Sequence, residues 1–258
     1  MKILCIGDIV SQSGRDAVRN LLDALKREHG ADLVIANGEN LSHGNGISRK
    51  NYLEMSDCGI DVFTLGNHTW GHKDANSLLK YEKNIIRPAN FDKGCPGSGS
   101  CIIEKNGVKA GIINIIGRVY MPSQYDSPFR AAEREIEKLK KHTNIIIVDF
   151  HAEATSEKQA MGWWLDGKVS AVFGTHTHVQ TADEMIMPKG TGYISDIGMT
   201  GAVYSVLGMD RKVIIDRFLT GIHNKTELAD GRYMLSGIVL DIDETTGRCT
   251  SISRVRKG

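Results

Sequence analysis

The stretch VSAVFGTHTH, Val169 to His178, holds the key to both fold and chemistry. Val169–Phe173, apolar except for Ser170, is a short run of the kind that forms a strand buried on both faces. Gly174 ends it, and Thr175-His176-Thr177-His178 follows, with two imidazoles one residue apart. In an open α/β sheet, ligands bind just beyond the carboxyl ends of the strands. The period of an extended segment places His176 and His178 on one side of the chain.

The same grammar recurs upstream. Lys2–Ile6 runs into Gly7-Asp8, and Asp32–Ala36 into Asn37-Gly38-Glu39-Asn40. Asp61–Leu65 runs into Gly66-Asn67-His68, and Ile145–Phe150 into His151. A glycine before the polar residues permits a sharp turn and a close backbone approach. Each polar group is a hard or borderline metal ligand or a proton-transfer group. One such residue at a strand end is more often a cap or a surface group. Together, Asp8, Glu39, Asn40, Asn67, His68, His151, His176 and His178 at one sheet edge argue for a site.

Between these strands the pattern is helical. Gly14–Glu28 carries Val18, Leu21, Leu22 and Leu25 on one stripe and stops at Gly30. Ser48–Asp57, capped by Ser48, and Asp74–Tyr81 are further helices. Ser100–Lys105 and Val108–Ile116 flank Asn106-Gly107, the signature of a hairpin with a type I′ turn. Ser127-Pro128 opens a helix whose buried stripe is Phe129, Ala132, Ile136 and Leu139. Asp210–Leu219 is helical, and Arg232–Asp241 with Cys249–Val255 forms a closing antiparallel pair around Thr246-Gly247. Glu184–Val206 receives no assigned elements. Strands alternating with helices, plus added hairpins, predict an α/β sandwich with mixed sheets. No linker divides residues 1–258, which read as a single domain.

The chain has 258 residues, 41% hydrophobic and 24% charged, an ordinary globular composition that excludes disorder and coiled coil. Its net charge of +1 offers no extended nucleic-acid surface and no attraction to an anionic membrane. The longest apolar runs, such as Ile3–Ile6, are far below the ~20 residues a membrane-spanning helix needs. Asp8 interrupts the first run before it could serve as a signal peptide. Five cysteines with no C-x-x-C spacing point to a reducing, cytoplasmic setting.

The remaining histidines and tryptophans have plainer readings. His29 and His142 fall in last helical turns, where a cation suits the dipole. His223 lies in a polar, solvated segment, and His43 in an exposed loop. His72 and Trp70 lie near the site, with Trp70 as a buttress. Trp163-Trp164 reads as packing or as a contact in a homo-oligomer. Phosphate-binding Walker loops, a G-x-G-x-x-G after the first strand, H-E-x-x-H and G-x-S-x-G are all absent from the sequence.

The ordered set Gly-Asp, Gly-Glu-Asn, Gly-Asn-His, His and Gly-Thr-His-Thr-His, spanning residues 8 to 178, resembles the calcineurin-like metallophosphoesterases. Their usual pattern is D-x-H, G-D-x-x-D, G-N-H-[DE], H and G-H-x-H. Here Val10 replaces the first histidine, Glu39 the bridging aspartate, and Thr69 the last acid. The variant set is similar to the bacterial YmdB-like branch. The resemblance implies a four-layer αββα fold and a dinuclear centre, with iron expected and manganese or zinc as alternatives. It assigns Asp8, Glu39, Asn40 and His178 to one metal, with Asn40 replacing the missing histidine. Glu39, Asn67, His151 and His176 take the other. His68 becomes the general acid. The implied reaction is hydrolysis of a small phosphodiester, a 2′,3′- or 3′,5′-cyclic nucleotide, by in-line attack of a metal-activated hydroxide. Loops Leu41–Ser48 and Arg118–Ser127 are expected to select the substrate. The rivals are a phosphomonoesterase or nucleotidase, told apart by preference for monoester over diester, and a metal-stabilised regulatory binding protein with little turnover.

Overall fold

Lys2–Ile6 forms strand β1, and its side chains divide alternately between two cores. Leu4 and Ile6 pack toward helices, while Ile3 and Cys5 pack toward a second sheet. The computed structural model describes residues 1–222, 225 and 227–258, so His223 lies outside the described residues. After β1 come β2 (Asp8–Ile9), α1 (Ser11–His29), β3 (Leu33–Asn37), α2 (Arg49–Asp57), β4 (Val62–Thr64), α3 (Ala75–Tyr81) and β5 (Ile85–Ile86). The chain continues through β6 (Ser100–Lys105), β7 (Val108–Ile116), α4 (Pro128–Leu139), β8 (Ile145–His151), α5 (Thr155–Leu165) and β9 (Ala171–Thr175). It closes with β10 (Met185–Ile186), β11 (Gly192–Ile194), β12 (Met199–Ala202), α6 (Arg211–Thr220), β13 (Tyr233–Ile242) and β14 (Cys249–Lys257).

The strands form two mixed sheets. One is eight-stranded in the order β2-β12-β13-β1-β3-β4-β5, with β14 paired to β13; the other is six-stranded, β10-β11-β9-β8-β7-β6. β1, β3 and β4 are parallel, as are β7, β8 and β9. All their carboxyl ends therefore face one way in each sheet, which is what gathers the site.

Three cores separate four layers. The first lies between α1, α2, α3 and the larger sheet, through Val18, Leu22, Met55 and Phe63. The second joins the sheets, with Ile35 and Val62 against Ile112, Ile147 and Phe173. The third lies between the smaller sheet and α4 and α5, through Val148, Phe150, Ile136 and Met161. This is the αββα sandwich expected from the sequence. Strands covered on both faces lack a polar alternation, hence the unbroken apolar runs.

Local signals are borne out closely. Ser48 and Ser127 accept hydrogen bonds from the amides of Asn51 and Arg130, capping α2 and α4. Gly30 closes α1 in the left-handed conformation. Asn106 and Gly107 have φ of 53° and 80°, as a type I′ turn requires. Several boundaries move. α1 begins at Ser11 rather than Gly14, and β9 at Ala171 rather than Val169. His142 lies just beyond the end of α4, in the closing turn where its amide donates to the Leu139 carbonyl at 2.8 Å. The sequence does not announce α5, because its buried stripe includes Lys158 and Gly162 and so lacks an apolar signature. The region 184–206 holds only β10, β11 and β12, strands of two to four residues that are too short to show a period. Among the described residues no helix is long and apolar enough to cross a membrane. The five cysteines are free thiols.

Candidate metal centre

The turns after the strands deliver the predicted residues to one place. Asp8 lies one residue past β1, at the start of β2, and Glu39 and Asn40 sit in the turn after β3, all three buried. Asn67 and His68 follow β4, His151 ends β8, and His176 and His178 lie just past β9. Gly66 is required by close approach: a Cβ there would lie 2.3 Å from His151 Nε2 and 2.5 Å from Glu39 Oε2. The extended geometry expected for His176 and His178 is not what forms. Both have positive φ, 99° and 66°, a sparsely populated conformation for residues with a side chain. Such strain persists where surrounding contacts over-determine it.

Two sets of donors meet. In one, His151 Nε2 lies 3.1 Å from Glu39 Oε1, 2.9 Å from Asn67 Oδ1 and 3.1 Å from His176 Nδ1. In the other, Asn40 Nδ2 lies 3.4 Å from Asp8 Oδ1, 3.4 Å from His178 Nε2 and 3.5 Å from Glu39 Oε1. His178 Nε2 and Asp8 Oδ1 are 3.8 Å apart. Glu39 belongs to both sets. Its second oxygen accepts the His68 amide at 2.8 Å, and Asp8 Oδ2 accepts the His176 amide at 3.2 Å.

Outer contacts fix the imidazoles. Thr175 Oγ1 donates its one proton to Asp149 at 2.7 Å, so it can only accept from His151 Nδ1 at 2.9 Å. His178 Nδ1 faces the Leu207 carbonyl at 3.1 Å, and His176 Nε2 faces the Glu153 carboxylate at 3.2 Å. Each acceptor demands a proton on the nitrogen it touches. The other nitrogen of each ring is thereby aimed inward, where a bound cation would take its lone pair in place of a proton. Beneath the His-x-His segment, Asp196 accepts the amide and hydroxyl of Thr177 at 3.1 and 2.8 Å. Buried Lys158 pairs with the same Asp196 oxygen at 2.7 Å.

Electrostatics agree with a cation site. Burial pushes Asp8 up, opposed by His178 and His151. Burial also acts against ionised Glu39, yet His151 and His68 together outweigh it and hold Glu39 down to about 2. Burial works against a charged His151, but Glu39 lifts it to about 9. In the protein alone a proton on His151 balances Glu39; a metal cation would satisfy the same demand. Burial and neighbouring His151 hold His176 down to about 3, so its ring is neutral. Two buried carboxylates, two amides and inward-turned imidazoles without thiolate are a donor set that fits iron, manganese or zinc.

The cleft above the donors has a volume of about 510 Å³ and is lined by His68, Glu153, Leu207, Ile214, Arg217 and Phe218, among others. Sequence reasoning misses the wall from residue 206 to 218, because the Asp210–Leu219 helix carries no functional signal. Of loop Leu41–Ser48 only Gly44 lines the cleft, and Arg118–Ser127 borders a separate cavity of about 630 Å³. Tyr125 of the second loop still lies near enough to Glu39 to feel its charge, and the segment around α6 adds a further wall. His43 is exposed, as expected. His72 Nδ1 accepts the Asp74 amide at 3.2 Å, beside α3. Trp70 packs on Phe91 with ring centroids 6.0 Å apart, which fits a buttress.

A family model described as YmdB-like protein matches residues 4–255. The chain belongs to the YmdB-like family. This YmdB-like chain is 47% identical to a 2′,3′-cyclic-nucleotide 2′-phosphodiesterase of Bacillus subtilis (strain 168), across 99% of the chain and 96% of that relative. The crystal structure of a novel phosphatase from Mycoplasma pneumoniae superposes with a TM-score of 0.93 at 37% identity, covering 99% of the chain and 92% of the other. Haemophilus influenzae NAD nucleotidase shares the fold alone, with a TM-score of 0.58, 16% identity, and coverage of 100% and 55%. The metallophosphoesterase architecture expected from the sequence is the one observed.

Proposed function

We propose that this YmdB-like protein, acting as one domain of residues 1–258, is a metal-dependent phosphodiesterase that hydrolyses small 2′,3′-cyclic nucleotides. The observation that carries the reading is the orientation of three histidines, whose inner nitrogens face two buried carboxylates and two amides. The activity named for the Bacillus subtilis relative supports the choice of substrate. Asp8, Glu39, Asn40 and His178 would hold one cation, and Glu39, Asn67, His151 and His176 the other, with iron the first metal to test. Cations held there would lower the pKa of water toward neutrality and offset the charge of the phosphate oxygens.

The protein's own groups do the rest. Asn67, and Asn40 after a half-turn of its amide, would contribute neutral oxygens, so that the loaded site would keep positive charge for an anionic substrate. His68 plays two separable parts. Its amide holds Glu39, while its half-buried side chain lines the cleft. From there the imidazole gives a proton to the departing ribose oxygen. Elemental analysis after reconstitution with iron, manganese or zinc should approach two equivalents, and the reconstituted protein should prefer a 2′,3′-cyclic nucleotide to a nucleoside monophosphate. Saturation at one equivalent rules out the paired centre. Preference for the monoester favours a nucleotidase, and no turnover with any of the three metals favours a binding protein.

A further inference from the structure

Helix α6 buries none of its residues, an unusual state for a helix with Ile214, Ile215, Phe218 and Leu219 in its sequence. Ile214, Arg217 and Phe218 fall at i, i+3 and i+4, so they share one face, and that face lines the cleft over the metal donors. Phe218 is 84% exposed, leaving its ring free for a ligand to cover. Among the described residues lining the cleft, Arg217 is the one Lys or Arg side chain. The wall is anchored to the site: the Leu207 carbonyl accepts from His178 Nδ1 at 3.1 Å, and Val206 and Met209 pair across the turn between them. Asp210 then caps α6 by accepting from the amides of Lys212 and Val213.

An apolar shelf with one guanidinium, placed beside a phosphate-binding centre, matches a ligand with a flat apolar part and an anionic part. Resting on the phosphodiesterase reading above, we infer that α6 is the nucleoside subsite. Phe218, with Ile214 and Leu207, receives the nucleobase, and Arg217 reaches the phosphate oxygens. Aromatic stacking tolerates all bases because each has a π-face, so this subsite selects for a base without selecting which.

The test compares a 2′,3′-cyclic nucleotide with glycerol 1,2-cyclic phosphate, which has the same reacting ring and no base. Phe218→Ala should raise KM for the nucleotide on the order of tenfold with kcat little changed. It should leave glycerol cyclic phosphate within about twofold, and Phe218→Trp should restore the nucleotide KM. Arg217→Ala should lower kcat/KM on both substrates. In calorimetry on the metal-reconstituted protein, a nucleoside monophosphate should bind about tenfold tighter than glycerol phosphate, and Phe218→Ala should abolish the difference. Calorimetry needs no turnover, so an inactive wild type would sink the phosphodiesterase reading while the subsite is still judged. Equal effects of Phe218→Ala on both substrates, or equal wild-type affinity for the two monoesters, would overturn the subsite. So would a change in molar mass by light scattering in place of the KM change, which would make the α6 face a contact between copies of the chain.

Discussion

At the scale of single residues, His68 and Asn40 give the sharpest tests. His68 holds Glu39 through its backbone amide, which a side-chain substitution leaves in place. His68→Ala should therefore retain both metals by elemental analysis. A general acid is worth about 10²–10⁴-fold, and only where the leaving group is poor. The variant should lose most activity on a cyclic nucleotide, whose alkoxide needs a proton, and far less on bis-p-nitrophenyl phosphate. Equal losses would leave His68 as an orienting group. Asn40 ends among Asp8, Glu39 and His178, and a half-turn of its amide presents Oδ1 in the same place. Asn40→Ala should weaken one metal site and spare the other in a metal titration. Two unchanged affinities would show that the amide is only a turn former.

At the scale of elements, the parallel pairing of β8 with β9 sets His151 opposite Thr175 in the ladder. That register creates the chain from Asp149 through Thr175 to His151. Burial pushes Asp149 up to about 7, with His151 opposing, so the acid is maintained beneath the site at some cost in desolvation. Thr175→Val keeps the shape and removes the hydroxyl. Loss of such an outer partner typically weakens a metal about 10–100-fold. The titration should show that drop on the site containing His151, with the other site close to wild type. A metal affinity unchanged in both sites would mean the hydroxyl does not orient the ring.

At the scale of the whole molecule, the site is the seam of the fold. The larger sheet provides Asp8, Glu39, Asn40, Asn67 and His68, and the smaller sheet provides His151, His176 and His178. A cation held across this seam binds the native state and not the separated sheets. At a hundredfold excess over Kd, each metal should add about 2.7 kcal/mol. For a chain of this length that corresponds to about 5–10 °C in Tm. Stripping the metals with a chelator and following thermal unfolding by circular dichroism should reveal it. A Tm insensitive to metal would mean that no cation is held at this seam in the folded protein.

The range of each interaction sets how much of the fold and site is legible in the sequence. Gly30, Ser48, Asn106-Gly107 and Ser127-Pro128 act on backbone within a few residues, so their turns and caps can be read directly. Continuous apolar runs name the main strands, and the polar residues after them name the candidate ligands. The rest depends on partners far apart in the chain. α5 is hidden by Lys158, whose buried charge makes sense only beside Asp196, 38 residues later. The left-handed turns at His176 and His178 bring the His176 amide and the His178 ring to Asp8, which is 168 residues from His176. The cleft wall at α6 carries no chemical signature of its own and acquires one only by standing over the donors. The sequence by itself determined the layers, the strand ends and the identity of the candidate donors, because these follow from local polarity and backbone preference. Tertiary structure alone decided which nitrogen of each histidine faces inward and which segment walls the cleft, because both depend on contacts that exist only once the two sheets have met.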